Sequence, residues 1–309
     1  MHGQETLWQF GVASETGPKK KRNEDRALVR LEHDHQGHEI VMAVVADGMG
    51  GYQIGDVASH LAIEKVNDWW ELKIKRLLKR RFPKDKLVKA LNQLFLDIND
   101  ALITIGEEEG IKLGTTLSVI LLYKGEFILS HVGDSRIYQH KGSSIGFQNF
   151  FRKQAELQGY KGMGQETEVL EREAHFDQLT EDHSWVNTQV KAGRLTKEEA
   201  RTHEKRNVLL QSLGIETLVH PFIKIGNYQP HDIFLLCSDG FYSTYSDKAI
   251  AQILQEIEEE HGDLQAISQH FVQLACDRGS QDNITVILLR HMYVRQQAPF
   301  THAKGFRRL

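Results

Sequence analysis

The chain contains little cysteine and no long apolar run. Its two cysteines, Cys237 and Cys276, are too few for a disulfide framework, so both are interpreted as small buried hydrophobic residues in a reducing compartment. No stretch of 18 consecutive apolar residues occurs, and the N-terminus has no basic region followed by an apolar stretch. We therefore expect a cytoplasmic protein without a membrane-spanning helix or a secretory signal.

Basic side chains are not concentrated either. The formal net charge is −4, and no arginine-rich stripe is interleaved with aromatic residues, so we expect no nucleic-acid partner. The short basic run at residues 19–22 is interpreted as a solvated loop or as a phosphate contact. The His/Cys spacing of a zinc site is absent, because His33, His35 and His38 stand in a hydrophilic turn.

The composition predicts one globular domain. Hydrophobic residues make up 40% of the 309 and charged residues 26%, which is ordinary for a chain that buries a full core. We expect a single domain at residues 1–290, with a flap and an insertion at about 141–214, and a C-terminal tail at 291–309. Residues 142–174 are polar and are interpreted as the insertion.

Hydrophobic patterning predicts strands in groups and helices in pairs. Helix pairs are predicted by the apolar stripes at residues 54–62 and 87–105, and by the patterns at 249–260 and 264–278. Residues 124–125 are predicted to turn a hairpin. This order favours an α+β domain with sheet packed on sheet and a helix pair on each outer face. The predicted strands are residues 8–13, 26–31, 40–46, 116–123, 126–132, 136–140, 222–225, 233–237 and 284–290.

A helical excursion is predicted at residues 180–214. There, Thr196 and Glu199 fit a capping box, and Gly193 and Gly214 fit the C-terminal ends of helices. We interpret this segment as a small lid or flap over the domain.

Five short acidic motifs are spread over nearly the whole chain. Each places an aspartate in a loop-forming context beside an apolar run, so the carboxylates can converge where strand ends meet. Such a cluster needs cations, and Mg²⁺ and Mn²⁺ prefer oxygen ligands. Two such ions about 4 Å apart can lower the pKa of a bridging water and clamp a phosphoryl oxygen. The motifs are RNED at 22–25, VADGMGG at 45–51, VGDSR at 132–136, CSDG at 237–240 and SQDN at 280–283.

In this order, the five motifs resemble the bacterial branch of the metal-dependent Ser/Thr protein phosphatases, the PPM or type 2C family. The resemblance runs from about Phe10 to Arg290 and includes GTT at 114–116, LTEDHS at 179–184 and residues 193–214. It implies a four-layer α-β-β-α sandwich, with two antiparallel sheets flanked by helix pairs and a flap subdomain. It also implies removal of phosphate from phosphoserine and phosphothreonine in proteins by a water that bridges two metal ions. The implied partners are phosphoproteins, including a Ser/Thr kinase, and we expect a monomer.

The resemblance further implies roles for single residues. Asp134 would bind a third, weaker metal ion shared with Asp239, and Glu24 would contact metal-coordinated water. The implied ligands of two Mn²⁺ or Mg²⁺ ions, which act through bound water, are Asp25, Asp47, Gly48 through its carbonyl, Asp239 and Asp282.

The chain departs from the family pattern at two positions near these residues. The family pattern has an arginine that binds substrate phosphate three residues before the asparagine of NED. In this chain that position is Lys20. Lysine is a point charge without the bidentate fork of arginine, so Lys20, with Arg22 as a substitute, is the predicted phosphate-binding residue. Met49 stands where some eukaryotic relatives have a histidine that could protonate the leaving group, so a metal-bound water or a substrate-neutral route must replace that histidine.

Other functions compete with this interpretation. Gly142, Ser144 and Gly146 match a G-x-S-x-G nucleophile elbow, but a lysine-glycine turn precedes them and a polar insertion follows. Residues 47–51 imitate a dinucleotide loop, although the third glycine falls on Gln53. The serious alternative is a pseudophosphatase that binds metal and phosphoproteins without turnover, and Lys20 is the only residue that favours it. Hydrolysis of a different phosphomonoester also stays open.

Overall fold

Two antiparallel sheets are stacked face to face in the computed structural model, which describes residues 7–49, 55–78, 84–142, 175–260 and 262–292. The first sheet has the strand order β1 (Trp8–Glu15), β11 (Ile284–His291), β10 (Ile233–Cys237), β7 (Arg136–Lys141) and β8 (His175–Gln178). The second has the order β2 (Asp25–His33), β3 (Glu39–Met49), β5 (Leu117–Tyr123), β6 (Glu126–Val132) and β9 (Phe222–Asn227), with β4 (Gly114–Thr115) paired to β3.

Helices cover the outer face of each sheet. On the second sheet lie α1 (Gly55–Trp69), a π-helical turn (Trp70–Ile74), α2 (Lys75–Leu78) and α3 (Lys84–Glu109). Three short helices lie in segments of the chain that connect strands. They are α4 (Trp185–Lys191) and α5 (Lys197–Thr202), between β8 and β9, and α6 (Asp239–Tyr242), which follows β10. On the first sheet lie α7 (Asp247–Glu260) and α8 (Leu264–Asp277).

Strand β3 shows why the chain forms layers. Residues 40–46 are all 0% exposed, and their side chains alternate between two hydrophobic clusters because a strand has a period of two. Met42 and Val44 pack in the cluster under the α1–α3 helices, whereas Ala43 and Val45 pack between the sheets. A third cluster, which includes Phe241 and Phe271, lies between the first sheet and α7–α8. The predicted four-layer α-β-β-α sandwich is confirmed.

The nine predicted strands are present with bounds shifted by at most three residues, and the described residues form two further strands that were not predicted. The hairpin at residues 124–125 is confirmed, with Lys124 and Gly125 both at positive φ, 49° and 79°. The missed strands are β4, which has only two residues, and β8, a short strand at the sheet edge with one apolar side chain. Neither is long enough to show a hydrophobic period.

The local helix predictions agree with the structure except at one glycine and one valine. The capping box of Thr196 and Glu199 is present, and Gly193 follows α4 with a φ of 68°. Gly214 also has a positive φ, 85°, but the prediction that it ends a helix was wrong. It follows an isolated bridge between Thr115 and Leu213, and its N–H donates to Asn99 Oδ1 at 2.8 Å. Val57, expected on the apolar stripe of α1, is 48% exposed.

Part of the predicted organisation lies outside the described residues. These parts are the insertion at 143–174, the tail from 293 and the start of the glycine-rich loop helix at Ile54, together with Ser144 and Gly146 of the competing elbow motif. Where the structure does describe helices, none combines the length and the apolar composition needed to cross a bilayer.

Candidate metal centre

The second sheet contributes two opposed carboxylates. Asp25 is the first residue of β2, and it stands directly opposite Asp47 near the end of β3. Opposed residues of an antiparallel pair point to the same face, and here that face is the one between the sheets, because Asp47 follows Val45 with a period of two. Asp25 is 2% exposed. Two carboxylates so close together repel one another unless a positive charge lies between them.

The first sheet contributes the remaining carboxylates from its strand ends. Asp239 begins α6 two residues after β10 ends, and Asp282 precedes β11 by two residues. Asp134 comes from the loop that joins β6 to β7. Ser238 links the two sheets, because its hydroxyl donates to Asp25 Oδ2 at 2.7 Å. The strand ends of both sheets therefore meet at one point.

Electrostatics shows that these carboxylates interact. Burial raises the pKa of Asp47 well above its usual range, and the charges of Asp25, Asp239, Asp134 and Asp282 raise it further. Burial likewise raises the pKa of Asp239, followed by the charges of Asp134, Asp282 and Asp25. Because buried like charges disfavour one another, a positive charge among them would stabilise this group.

The other two buried carboxyl groups are shifted in the same direction. Burial is the main cause that raises the pKa of Asp25 to about 6, although hydrogen bonds from Ser238 and Thr285 oppose it. Burial, together with the charge of Asp182, raises the pKa of Asp134 to about 7, while Arg136 lowers it. The donor set is thus one that a divalent cation would neutralise.

Two oxygen atoms of the cluster fit such a cation. Asp25 Oδ1 and Asp239 Oδ1 are buried and have no hydrogen-bond partner, although buried polar atoms are nearly always paired. Carboxylate oxygens without donors are what Mg²⁺ and Mn²⁺ bind. As they stand, however, no three His, Cys, Asp or Glu side chains of the described ranges are arranged so that they could hold a metal ion. The complete ligand set therefore stays a prediction.

Gly48 lies in a place that only glycine can occupy. A Cβ there would stand 2.0 Å from the Gly55 carbonyl oxygen and 2.8 Å from the Glu24 carbonyl oxygen. The Gly48 N–H donates to the same Glu24 carbonyl at 3.2 Å. Ser59 Oγ also donates to that carbonyl, at 2.5 Å. The backbone of Gly48 is thereby fixed beside Asp47 and the N-terminal end of α1.

Glu24 lies on the same side of the cluster as Gly48. Its Oε1 would be 2.8 Å from a Cβ on Gly55, so its carboxylate reaches the start of α1. Burial is the main cause that raises the pKa of Glu24, and the charge of Lys20 opposes it. The structure therefore brings Glu24 close to Gly48 and the start of α1, and its contact with metal-coordinated water stays a prediction.

The two predicted phosphate-binding residues differ in placement. Lys20 Nζ forms an ion pair with Asp282 Oδ1 at 2.5 Å. Burial lowers the pKa of Lys20, but the hydrogen bond to Asp282 and the charges of Asp282, Asp47 and Glu24 outweigh burial and raise it. The Arg22 side chain is 56% exposed and contacts Asp56 Oδ2 at 3.5 Å. Lys20 is thus the cation at the rim of the cluster, and Arg22 lies farther out.

Two asparagines for which the sequence predicted no role form hydrogen bonds that hold the loops of the RNED and SQDN motifs in place. Asn283 Oδ1 accepts from the Glu24 N–H at 3.0 Å, and Asn283 Nδ2 donates to the Arg22 carbonyl at 3.0 Å. Asn23 Oδ1 accepts from the Asp25 N–H at 3.1 Å. Their presence in the RNED and SQDN motifs was the available signal, but spacing alone does not show that the two motifs touch.

A network of buried hydroxyl groups and one histidine contacts the backbone next to the carboxylate cluster. Thr116 Oγ1 accepts from the Asp47 N–H at 2.9 Å and lies 2.8 Å from Ser135 Oγ. Ser118 Oγ lies 2.8 Å from His131 Nδ1, and His131 Nε2 lies 3.0 Å from the Gly133 carbonyl oxygen. This network connects the Asp47 backbone to Gly133 and Ser135, the two residues that flank Asp134.

Comparison with known proteins identifies the family. The family model of protein phosphatase 2C matches residues 18–271. "Serine/threonine phosphatase stp" of Listeria monocytogenes serotype 4b is 29% identical over 280 residues, which cover 89% of this chain and 93% of that protein. The chain belongs to the protein phosphatase 2C family, and its relatives place it among the bacterial PPM-type phosphatases, which are enzymes.

Solved structures agree with this assignment. Serine/threonine phosphatase Stp1 from Staphylococcus aureus superposes with a TM-score of 0.70 and 25% identity, covering 94% of this chain and 99% of that chain. The catalytic domain of the serine/threonine protein phosphatase PstP, solved in complex with two manganese ions, gives a TM-score of 0.66 and 25% identity, covering 93% and 99%. The predicted family and fold are both confirmed.

Proposed function

We propose that this chain is a Mn²⁺- or Mg²⁺-dependent phosphatase that hydrolyses phosphoserine and phosphothreonine in proteins. The observation that carries the proposal is the convergence of carboxylates from both sheets, with raised pKa values at Asp25, Asp47, Asp134 and Asp239. Such a group, with unpaired buried oxygens, is suited to divalent cations. The relative that contains two manganese ions supports the same metal chemistry.

Each residue of the cluster would have a role set by its position. Asp25, Asp47, Asp239 and Asp282, with the Gly48 carbonyl, would hold two ions, and Asp134 would hold a third together with Asp239. When bound, two divalent cations activate a water for in-line attack and neutralise charge on the phosphoryl oxygens. Glu24 would accept a hydrogen bond from a water at the centre.

Lys20 would bind the substrate phosphate. Its ammonium group stands at the rim of the cluster, 2.5 Å from Asp282 Oδ1, and its side chain is 35% exposed, so it would be accessible to a phosphate that enters from solvent. Arg22, which is more exposed, would add positive charge at a longer distance. A water would protonate the leaving group, because Met49 has no exchangeable proton.

The proposed partners follow from the relatives. Relatives named serine/threonine phosphatases support phosphoproteins as substrates. We further propose that a Ser/Thr kinase of the same cell is among them, that the phosphatase acts as a monomer, and that it acts in the cytoplasm.

The second candidate is a pseudophosphatase, which would bind phosphoproteins without turnover. The observation that favours it is Lys20 itself, because its ion pair with Asp282 uses one of the predicted metal ligands. A lysine held there would compete with a metal ion for the carboxylate.

A metal-dependent activity assay separates the two. Purified protein is given p-nitrophenyl phosphate or a phosphothreonine peptide, with Mn²⁺ and with EDTA. The variant is Asp239→Asn, and the matched control is Asp97→Asn on the exposed side of α3, where the carboxylate accepts a hydrogen bond from Gln93. We expect turnover that needs Mn²⁺, is lost in Asp239→Asn and is unchanged in Asp97→Asn. Metal binding without turnover of either substrate would favour the pseudophosphatase.

A further inference from the structure

Ser238 stands at the N-cap of α6 but does not cap that helix. A serine at this position usually accepts a hydrogen bond from the backbone N–H of the second or third helical residue. In α6, whose residues the structure describes throughout, the Ser238 hydroxyl makes no such bond. It donates instead to Asp25 Oδ2 at 2.7 Å, across 213 residues of chain. The side chain therefore serves the opposite sheet and not the helix that it begins.

The direction of this hydrogen bond is fixed by the strand next to Ser238. The Thr285 N–H donates to Ser238 Oγ at 3.0 Å. Because a backbone N–H can only donate, Ser238 Oγ accepts there and has one proton left to give. The Asn283 carbonyl oxygen lies 3.5 Å away, which is longer than the usual O–H···O distance of about 2.5–3.0 Å. The proton is therefore directed at the Asp25 carboxylate.

Burial leaves the two oxygens of Asp25 in different situations. Ser238 and Thr285 are 0% exposed and Asp25 is 2% exposed, so few waters can replace the hydroxyl on Oδ2. Asp25 Oδ1 is buried and has no hydrogen-bond partner in the part of the chain that the structure describes. Since Oδ2 is held by Ser238, Oδ1 is the oxygen that stays available to a cation.

We propose that Ser238 is a positioning residue that orients the Asp25 carboxylate so that Oδ1 binds a metal ion. Its hydroxyl restricts the rotation of the carboxylate before the ion arrives, so less conformational entropy is lost on binding. Ser238 also directly precedes Asp239 in the chain, and it thereby connects predicted metal ligands of the two sheets. The inference rests on the proposed function and adds to it a residue that sets metal affinity without touching the ion.

The test removes the hydroxyl of Ser238. Ser238→Ala deletes the donor to Asp25, and the matched control is Ser268→Ala in α8. Ser268 is 0% exposed, and its Oγ has no hydrogen-bond partner among the described residues. Both variants therefore lose a buried hydroxyl, but only one loses a contact with a predicted metal ligand. A second variant, Ser238→Cys, leaves no cavity and replaces the O–H donor by a weak S–H donor.

Metal binding by the full chain gives the result. Calorimetric titration measures the Kd of Mn²⁺, and thermal scans in EDTA show whether each variant is folded. We expect Ser238→Ala to raise the Kd of Mn²⁺ about tenfold, as the loss of a hydrogen-bond partner of a metal ligand does. Ser238→Cys should give a Kd between those of wild type and Ser238→Ala, and Ser268→Ala should match wild type. The Mn²⁺ concentration for half-maximal hydrolysis of a phosphothreonine peptide should rise by the same factor as the Kd.

The opposite results would overturn the inference. If Ser238→Ala lowers Tm in EDTA but binds Mn²⁺ as wild type does, Ser238 has only a structural role. If Ser238→Cys binds Mn²⁺ more weakly than Ser238→Ala, the volume of the side chain matters and the hydrogen bond does not. If Ser238→Ala does not fold, Ser238→Cys decides, and a wild-type Kd in that variant contradicts the inference. In each case the proposed function stands, whereas wild-type protein that binds no Mn²⁺ and hydrolyses neither substrate overturns the proposed function itself.

Discussion

Replacing Lys20 by alanine tests the phosphate-binding assignment most directly. Lys20 and Asp282 form an ion pair at 2.5 Å, but their side chains are 35% and 40% exposed. A partly exposed pair of this kind contributes about 1 kcal/mol or less to stability. Lys20→Ala should therefore leave the fold intact, and a change in kinetics can be attributed to the lost ammonium group.

The expected effect lies in substrate binding. A hydrogen bond to a charged group contributes about 1.5–3 kcal/mol, and exposure places Lys20 at the lower end of that range. A loss of about 1.4 kcal/mol corresponds to a tenfold change in affinity. We expect KM for a phosphothreonine peptide, and the inhibition constant of inorganic phosphate, to rise about tenfold. Lys20→Arg should restore both values or improve them, because guanidinium binds phosphate with two parallel hydrogen bonds.

Steady-state kinetics at saturating Mn²⁺ measures these constants. Lys19→Ala is the matched control, because it removes the same charge from an exposed neighbour in the same loop. If Lys20→Ala and Lys19→Ala give the same KM and the same phosphate inhibition, Lys20 does not bind phosphate. Its contact with Asp282 would then be only an ion pair at the rim.

Three further results should follow from the structure. Gly48→Ala should lower kcat about 100-fold or more, because its Cβ would lie 2.0 Å from the Gly55 carbonyl oxygen; near wild-type turnover would contradict this. Mn²⁺ at 100 times its Kd should add about 2.7 kcal/mol to the free energy of unfolding and raise Tm by about 5–10 °C. Thermal scans with Mn²⁺ and with EDTA measure this shift, and Asp239→Asn should show none. Burial lowers the pKa of His131 from 6.5 to about 3, so its contribution to stability is complete above pH 6.5 and is lost as pH falls, by about 2 kcal/mol at pH 5. Urea unfolding at pH 7.5 and 5 checks this, and an equal pH dependence in His131→Asn would refute it.

The layered fold could be predicted because burial on both faces leaves a clear pattern. Strand β3 is apolar at every position from Ile40 to Ala46, which indicates a strand covered on two sides, and the structure places one hydrophobic cluster on each side. Strand β8 could not be predicted in the same way. It has four residues at a sheet edge, and its only apolar side chain, Phe176, packs on Tyr138.

The site could be predicted only as a set of loops. Each acidic motif follows or precedes a strand, so convergence was a fair inference, but the partners across the site are far apart in sequence. Ser238 and Asp25, for instance, are separated by 213 residues and still form a 2.7 Å hydrogen bond. The hydrogen bond between Arg136 and Asp182 spans 46 residues. No local pattern encodes such pairs, because they depend on how the two sheets are aligned.

The alignment of the sheets also explains how a hydrophobic core can place charged ligands accurately. Ala43 and Val45 lie on the face between the sheets, and the same period of two puts Asp47 next on that face. On the opposite sheet, Leu236 lies on this face and Ser238 follows it by two residues. A slip of one residue in the pairing of β3 would turn Asp47 away from Asp25 and place Ala46 on the face between the sheets instead. Since the apolar residues strongly oppose that slip, the packing that stabilises the sandwich also sets the positions of the carboxylates.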